Sequence, residues 1–405
     1  MASNIFNFLS DEVYNQKMNV KNNLLRILAE NESDNLIPKS WDYIQFLVRN
    51  DLHKKVLHLG DELVCQKDGV NISWIIVDFD KDIPIDSQFT HSLTLVMKNQ
   101  WNEAVQFDSK EAAFYFEDGL SAGTYYFTIG AQPWCTEDVN KSFMFTITTA
   151  IPAKGQLVFG NNYAATCENA RIYSYSSSSF TSPLEDVADN VSSPSGKTMT
   201  MTLWDGETGI FLGTINNDVQ TNINSIQRAL LGNTNYKESA IRQWLTSDAV
   251  AGSVWKPQTK FDRPPSWKDT LKGFMNGMDE DFLSVIKPTL ITTARSTSTD
   301  GGGVDITQDK IFLLSKPQVY GGATVSGVDE GAPYEYFLRY SDLSAAGSGS
   351  DKNRIKTRNG SAQWYWLRSR YAGIGTRVWI VNIDGQLGNS YAANAHGVAA
   401  ACTIY

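Results

Sequence analysis

The spacing of the apolar residues changes near Gly60, and this change constrains the fold more than any other feature. Before it, "SWDYIQFLVRNDLHKK" carries apolar residues at helical spacing behind Ser40, a residue type that commonly caps helices. After it, "SWIIVDFD" is a β-branched run from Trp74 to Asp80, which is typical of a strand. A helical segment therefore precedes a strand-rich body, and we predict an α+β fold.

The order of these patterns divides the chain into segments. Residues 1–58 are predicted to form a short helical N-terminal module, which serves either attachment and assembly or simple packing against the next domain. Runs such as "HSLTLVM", "GTYYFTIG" and "SFMFTITTAIPAKG" predict a β-rich, sandwich-like unit at residues 85–215. Helical patterns return in "NYKESAIRQWLTSD", "DRPPSWKDTLKGF" and "MDEDFLSVIKP". Short strands and long loops follow, in "PTLITTAR", "DKIFLLSKPQVY", "YWLRSR", "RVWIVNIDG" and "GVAAACTIY".

Charge and composition narrow the classes of partner. The net charge is −9 and Lys and Arg are not clustered, which argues against a nucleic-acid or anionic-membrane partner. No run of about 18 apolar residues is present, so we expect no membrane insertion. No apolar run follows a basic N-terminal region, and we expect synthesis in a cytoplasm without a cleaved signal. The 11 Trp and 17 Tyr favour a recognition surface.

The sequence offers little acid–base or metal chemistry. The chain has four His and four Cys, no CxxC pair, and no HExxH, GxSxG or P-loop motif, so buried free thiols are expected. Two acidic segments could hold a cation: "TDGGGVDITQDK", with Asp300, Asp305 and Asp309, and "DFDKD", from Asp78 to Asp82. A plain turn explains the first better, and a solvated strand end the second. We predict no enzyme activity, no metal and no cofactor.

Two further polar residues near the C-terminus are candidates for either a functional or a structural role. Arg368 in "YWLRSR" follows two aromatic residues and a leucine, and we interpret it as a buried pairing partner that locks loops together. His396 has no carboxylate nearby in the sequence, so it is expected to display an imidazole rather than to act as a catalytic base.

Several fragments carry a family resemblance, namely "WIIVDFDKD", "NYKESAIRQWL", "VWKPQTKFDRPPSW", "GFMNGMDEDFLSVI", "TDGGG", "DKIFLLSKPQVYGG", "DKNRIKTRNGSAQWYWLRSR" and "GVAAAC". In this order they resemble a group of phage- and prophage-borne proteins of gut bacteria. The C-terminal region of that group is similar to the C-type lectin fold, which phage tropism determinants and the variable proteins of diversity-generating retroelements also use. The resemblance implies a lectin-like domain with its first strands at residues 61–84 and the rest at 216–405, and the β-rich unit inserted between.

In those variable proteins, error-prone copying rewrites codons near the C-terminus while the scaffold is kept. The resemblance implies a variable region at residues 364–396. Its ligand-binding positions would be Tyr371, Ile374, Thr376, Trp379, Ile380, Asn382, Asp384, Asn389, Ser390, Tyr391, Asn394 and His396. Aromatic and small polar residues of this kind are favoured in adaptable binding surfaces, and loops on a rigid sheet tolerate exchange. Arg370 and Ala400 depart from the family pattern, in which prolines are typical.

The leading hypothesis is a non-enzymatic receptor-binding protein, at a phage tail tip or as a prophage adhesin, that binds a bacterial cell-surface protein or glycan. It would work on the virion or the bacterial cell surface, contact other tail proteins through residues 1–58, and form a homo-oligomer such as a trimer. One alternative is a structural tail protein that buries the aromatic tail in an oligomer interface. Another is a formylglycine-generating or glycan-modifying enzyme, for which the tail offers only Cys402 and Asp384.

Overall fold

The computed structural model describes residues 40–109, 118–123, 149–153, 232–258, 262, 264–296, 302–324, 327–339, 353–372 and 375–405, the side chain of Tyr125, and the backbone of strands between 114 and 224. These parts combine short helices with many strands, so the predicted α+β class is confirmed. The helices are α1 (Trp41–Arg49), α2 (His53–Val56), α3 (Ala240–Leu245), α4 (Glu280–Val285), α5 (Lys316–Tyr320) and α6 (Glu335–Arg339). Among these described helices, none has the length and apolar character needed to span a bilayer.

The strands fall into three groups along the chain. The first is β1 (Glu62–Lys67), β2 (Val70–Phe79), β3 (Leu93–Met97) and β4 (Val105–Gln106). The second is β5 (Phe114–Phe116), β6 (Gly123–Thr128), β7 (Ser142–Ile147), β8 (Gly155–Phe159), β9 (Arg171–Ser174), β10 (Met201–Trp204), β11 (Gly209–Gly213), β12 (Ile215–Asn216) and β13 (Asn222–Asn224). The third is β14 (Ile286–Lys287), β15 (Thr289–Ala294), β16 (Val304–Asp309), β17 (Ile311–Leu313), β18 (Thr357–Arg358), β19 (Ser361–Ala362), β20 (Tyr365–Arg370), β21 (Arg377–Val381), β22 (Leu387–Tyr391), β23 (Ala395–His396) and β24 (Ala400–Ile404).

The main sheet joins the first and third groups. Its order is β1-β2-β3-β24-β14, all antiparallel, and β17 pairs with β24 as well. Cys402 of β24 lies opposite Leu95 on one side and Ile311 on the other. All five residues of β24 are buried, as expected for a central strand covered on both faces. Cys402 and Cys65 are buried free thiols, as the sequence predicted, and the other two cysteines lie outside the described residues.

Helix α1 packs against this body. Ser40 caps it as predicted, with the Ser40 Oγ accepting a hydrogen bond from the Tyr43 N–H at 3.3 Å. Its apolar stripe is buried, and the Trp41 ring lies 4.7 Å from that of Phe282 in α4. The Gln45 side chain also donates to the carbonyl of Tyr405 at 2.9 Å. Residues 41–56 therefore share their core with the C-terminal strands, and residues 1–39 lie outside the described part.

The second group of strands forms two antiparallel sheets, with the orders β11-β10-β8-β5 and β12-β7-β6-β9-β13. These strands fall mostly within residues 85–215, where a β-rich unit is predicted. Strands β3 and β4 fall in the same range, but β3 belongs to the main sheet and β4 pairs with β23. The domain boundaries themselves stay a prediction.

Two local predictions were wrong. Residues 266–270, predicted as the start of a helix behind Ser266, form turns. Residues 316–320, predicted among short strands, form α5. A capping box explains this helix, since the Ser315 hydroxyl accepts from the Gln318 N–H and the Gln318 side chain accepts from the Ser315 N–H. Pro317 is tolerated there because the first helical turn needs no internal N–H donors.

Candidate binding face

The sheet β20-β21-β22 carries five of the twelve predicted ligand-binding positions, two on β21 and three on β22. Its first strand is framework, because every residue of β20 is buried. The indole N–H of Trp366 donates to the Val105 carbonyl at 2.8 Å, and the Tyr365 hydroxyl donates to the Arg354 carbonyl at 2.8 Å. Both aromatic side chains thus satisfy their polar atoms inside the protein, and the sheet rests on a fixed base.

Arg368 is the centre of that base, which confirms the interpretation of this residue as a buried partner. One terminal nitrogen donates to the Leu313 carbonyl at 2.8 Å and to the Gln318 Oε1 at 2.6 Å. The other donates to the Glu330 carbonyl at 2.8 Å. With 2% exposure, the guanidinium cannot reach an external ligand. It ties β20 to β17, α5 and the loop that contains Glu330.

The register of β21 and β22 creates a mixed aromatic and polar face. Arg377 lies opposite Tyr391, and Trp379 lies opposite Asn389. Directly opposed residues point to the same side of an antiparallel sheet, so these four side chains share one face. Tyr371 joins them, because its ring lies 4.7 Å from the Trp379 ring. We call these five residues the aromatic face. All five are partly exposed, whereas Val378 and Ile380 point inward and are buried.

Contacts within the aromatic face hold its side chains in place. The Arg377 guanidinium donates to the Asn389 Oδ1 at 3.0 Å and to the Tyr391 hydroxyl at 2.9 Å. The same guanidinium lies 4.5 Å from the centre of the Tyr391 ring. The indole Nε1 of Trp379 makes no hydrogen bond with any described residue. The face therefore offers ordered aromatic area and a positive charge, whereas the Trp379 Nε1 itself is buried.

A second group, around His396, lies on the inner side of β22. The His396 Nε2 is 2.7 Å from the Ser390 Oγ, which also accepts from the Asn394 amide at 3.0 Å. The rings of Trp364 and Trp366 lie 5.4 and 4.7 Å from the imidazole. Burial, with a smaller contribution from Arg358, lowers the pKa of His396 to about 4. Because a general base works best with a pKa near the operating pH, the His396–Ser390 pair is poorly suited to nucleophilic catalysis.

The remaining predicted positions divide into exposed, buried and undescribed residues. Asn382 and Asp384 lie in the loop between β21 and β22, where Gly385 adopts a positive φ of 82° and the Asp384 carboxylate accepts from the Gln386 N–H. Ile374 lies outside the described residues.

Three predicted positions do not present their side chains to solvent: Thr376, Ile380 and Ser390 are 0%, 1% and 8% exposed. Ile380 alternates with Trp379 along β21 and so points into the core.

Two exposed contributors were missed by the sequence reasoning. Arg377 anchors the aromatic face, and Trp364 is 44% exposed beside His396. Arg377 stands two positions before Trp379, so strand alternation alone would have placed the two on one side. Trp364 lies just before β20, and no pattern in the sequence indicates that its side chain is exposed.

The described carboxylates of the two acidic segments pair with other groups of the protein. Asp309 is 1% exposed and forms a bidentate pair with Arg242 at 2.7 to 3.0 Å, and Asp305 lies 3.5 Å from the Lys237 ammonium. Asp300 lies outside the described residues. Because the Arg242 guanidinium already neutralises the Asp309 carboxylate, we expect no cation to bind there.

The prediction that "DFDKD" is a solvated strand end was wrong. The Asp78 carboxylate is 6% exposed and accepts from the backbone N–H groups of Phe79 and Glu335 at 2.8 Å. The Asp82 carboxylate accepts from the hydroxyls of Thr94 and Tyr334. Burial raises the pKa of both carboxyls. These acids fix the end of β2 against β3 and α6.

Comparison with known proteins finds one domain family that matches the C-terminal part of the chain. Residues 211–405 match the family described as "Domain of unknown function (DUF6273)". This match covers β12 to β24, and so includes the aromatic face and the His396 group. No curated protein and no solved structure matches the chain.

Proposed function

We propose that this chain is a non-enzymatic receptor-binding protein that contacts its receptor through the aromatic face. The observation that carries the proposal is the alignment of Tyr371, Arg377, Trp379, Asn389 and Tyr391 on one partly exposed side of a sheet whose other strand, β20, is wholly buried. Tyr, Trp and Arg are the residues that most often dominate binding energy. A rigid base beneath them lowers the entropy lost on binding.

The finer assignment rests on the family resemblance of the sequence. On that basis the fold around the aromatic face is a C-type lectin-like domain, and the protein belongs at a phage tail tip or on the bacterial surface as a prophage adhesin. A position such as Asn389 can be exchanged without removing core packing, since its side chain is partly exposed and lies outside the hydrophobic cluster. The surface therefore suits diversification by a retroelement.

The receptor is a bacterial cell-surface protein or glycan. The tilted pair of Tyr371 and Trp379 rings, with the Arg377 guanidinium over the Tyr391 ring nearby, suits either the rings of a sugar or an extended polypeptide. The hairpin loop adds Ile383, which is 52% exposed, and Asp384 at the edge. We further propose that residues 1–58 contact other virion proteins and hold the protein in a trimer.

The test is binding of the purified, fluorescently labelled chain to a panel of intact gut bacteria. The variant with Tyr371→Ala, Trp379→Ala and Tyr391→Ala should bind at least about thirtyfold more weakly, because truncating one central aromatic residue often costs about 2 kcal/mol. Treating the cells beforehand with protease or with periodate distinguishes a protein receptor from a glycan.

A matched control is the variant with Val250→Ala and Ile306→Ala, two residues that are 64% and 63% exposed on other parts of the surface. It should bind as the unmodified chain does. If the aromatic variant keeps its thermal stability and its binding, the face is not the binding site. If it loses trimer formation by light scattering while cell binding is retained, the aromatic face is an oligomer interface and the structural alternative is correct.

A further inference from the structure

Four titratable side chains meet where α2 approaches the end of β2, far in sequence from the aromatic face. His53 is the first residue of α2, Asp51 precedes it, Asp80 follows β2, and His91 precedes β3. Donor atoms of Asp51, His53 and His91 all lie within 4.8 Å of one another. We call these residues, with Asp80, the His53 cluster.

Three distances within the His53 cluster are close to those between the ligands of one tetrahedral ion. The Asp80 Oδ1 lies 3.3 Å from the His53 Nε2 and 3.3 Å from the His91 Nδ1, and the His91 Nδ1 lies 3.7 Å from the Asp51 Oδ1. Zinc bonds to nitrogen and oxygen of about 2.0–2.2 Å separate neighbouring ligands of a tetrahedron by roughly 3.3–3.6 Å. The two separations from Asp80 match this spacing, and the separation between His91 and Asp51 is about 0.1 Å longer.

His53 supplies an independent reason to expect a ligand. Its side chain is 0% exposed, yet neither ring nitrogen makes a hydrogen bond of acceptable geometry with any residue that the structure describes. The Nε2 points to Asp80 at 3.3 Å, and the ring packs between those of Phe79 and His91 at 5.5 and 5.6 Å. Leaving a buried imidazole without partners is costly, and a metal bond at the Nε2 would satisfy the nitrogen that faces the cluster.

The protonation states suit metal binding. Burial is the largest influence on His53 and lowers its pKa, so the imidazole is neutral and keeps a lone pair for coordination. Burial acts to raise the pKa of Asp80, but contacts with Lys54, Ser92 and the histidines lower it overall, which keeps the carboxylate ionised.

Lys54 orients the Asp80 carboxylate and leaves one oxygen for a metal. Its ammonium lies 2.5 Å from the Asp80 Oδ2, whereas the Oδ1 faces both histidines, accepts from the Ser92 N–H at 2.9 Å and keeps a second lone pair for a metal. The Asp51 side chain is 64% exposed and His91 is 29% exposed, so an ion can enter from solvent.

We propose that Asp51, His53, Asp80 and His91 form a zinc site that joins α2 to the ends of β2 and β3. Two imidazoles and two carboxylate oxygens favour Zn²⁺ over Ca²⁺ or Mg²⁺, which take six or more oxygen ligands. The bound ion would pin helices α1 and α2 to the main sheet. This inference is independent of the aromatic face and of its receptor.

The test uses the full chain stripped with EDTA and titrated with Zn²⁺ in equilibrium dialysis. One ion per chain should bind, and the thermal midpoint should rise with zinc concentration. His91→Ala and Asp51→Asn change partly exposed ligands, so these variants are expected to fold. Asn tolerates the positive φ of 55° at position 51. Loss of a residue that only hydrogen-bonds to a metal ligand usually weakens metal binding by about 10–100-fold, so each variant, which loses a ligand itself, should bind zinc at least about tenfold more weakly.

The matched control is His58→Ala, because His58 lies nearby in sequence, is 66% exposed and contacts Asp61 rather than the cluster. It should leave zinc affinity unchanged. Co²⁺ provides a second measurement, since a tetrahedral site gives strong visible absorption that His91→Ala should abolish. The proposal is overturned if the unmodified chain takes up no zinc, if both ligand variants bind it as tightly as the unmodified chain, or if Co²⁺ shows only weak octahedral absorption.

Discussion

The surroundings of His396 keep its imidazole neutral. The ring lies against Trp366, its Nε2 contacts the Ser390 hydroxyl, and Arg358 contributes an unfavourable positive charge. A His side chain in an unfolded chain has a pKa of about 6.5. At neutral pH the group therefore helps to order the tail without adding charge to it.

Protonation of His396 should destabilise the protein. As the pH falls from about 6.5 to about 4, the unfolded chain takes up a proton that the folded chain resists, so the free energy of unfolding should fall by at most about 3 kcal/mol from this residue. His396→Gln keeps a polar side chain but cannot titrate. Urea unfolding of both forms at several pH values should show a shallower loss for the variant. His58→Gln, an exposed control, should follow the unmodified chain, and parallel curves for His396→Gln would contradict the expectation.

Strand β20 depends on Arg368 for its position between other elements. The guanidinium satisfies acceptors on β17, on α5 and at Glu330. Removing one partner from a buried charged network leaves the others unsatisfied, which is more costly than the loss of an exposed ion pair.

Arg368→Met should therefore lower the free energy of unfolding by about 3–5 kcal/mol. Lys98→Met is a suitable control, because it removes an ion pair with Glu62 between partly exposed side chains, and such pairs contribute about 0–1 kcal/mol. Chemical denaturation followed by tryptophan fluorescence measures both. A cost for Arg368→Met as small as that for Lys98→Met would mean that the network is unimportant for stability.

Elements formed by local rules were the ones that the sequence could predict. Ser40 and the apolar spacing behind it placed α1, and "SWIIVDFD" placed β2. The partners of Asp78 and Asp82 could not be foreseen, because Glu335 and Tyr334 lie 257 and 252 positions further along the chain. The same limit applies to the aromatic face. Its residues were mostly named in advance, but the separation of Trp379 from buried Ile380 depends on which side of β21 faces the core.

At the scale of the whole molecule, one hydrophobic cluster includes α1, the main sheet and the sheet β20-β21-β22. It contains Trp41 and Leu47 from one end of the described chain and Ile404 and Tyr405 from the other. Parts that share a core unfold together in small and medium-sized domains. The predicted module at residues 1–58 therefore has its described portion, from residue 40, built into the body.

Trp41→Ala should destabilise the entire described body rather than release α1 alone. The indole is 8% exposed and contacts Phe282, so its removal should cost about 3 kcal/mol. Far-ultraviolet circular dichroism and tryptophan fluorescence should then report the same shifted midpoint. Leu338→Ala, which changes a residue that is 43% exposed, is the control and should shift the midpoint little. Separate midpoints for the two probes would indicate that α1 unfolds independently.

The central place of β24 in the main sheet has a consequence for synthesis. On the ribosome, β3 emerges long before β24, and until Ala400–Ile404 leave the exit tunnel one edge of β3 has no partner. An open, apolar strand edge invites pairing with other nascent chains. A cell that makes this protein rapidly should therefore rely on chaperones that bind the unfinished chain, and demand for them should end when the last strand closes the sheet.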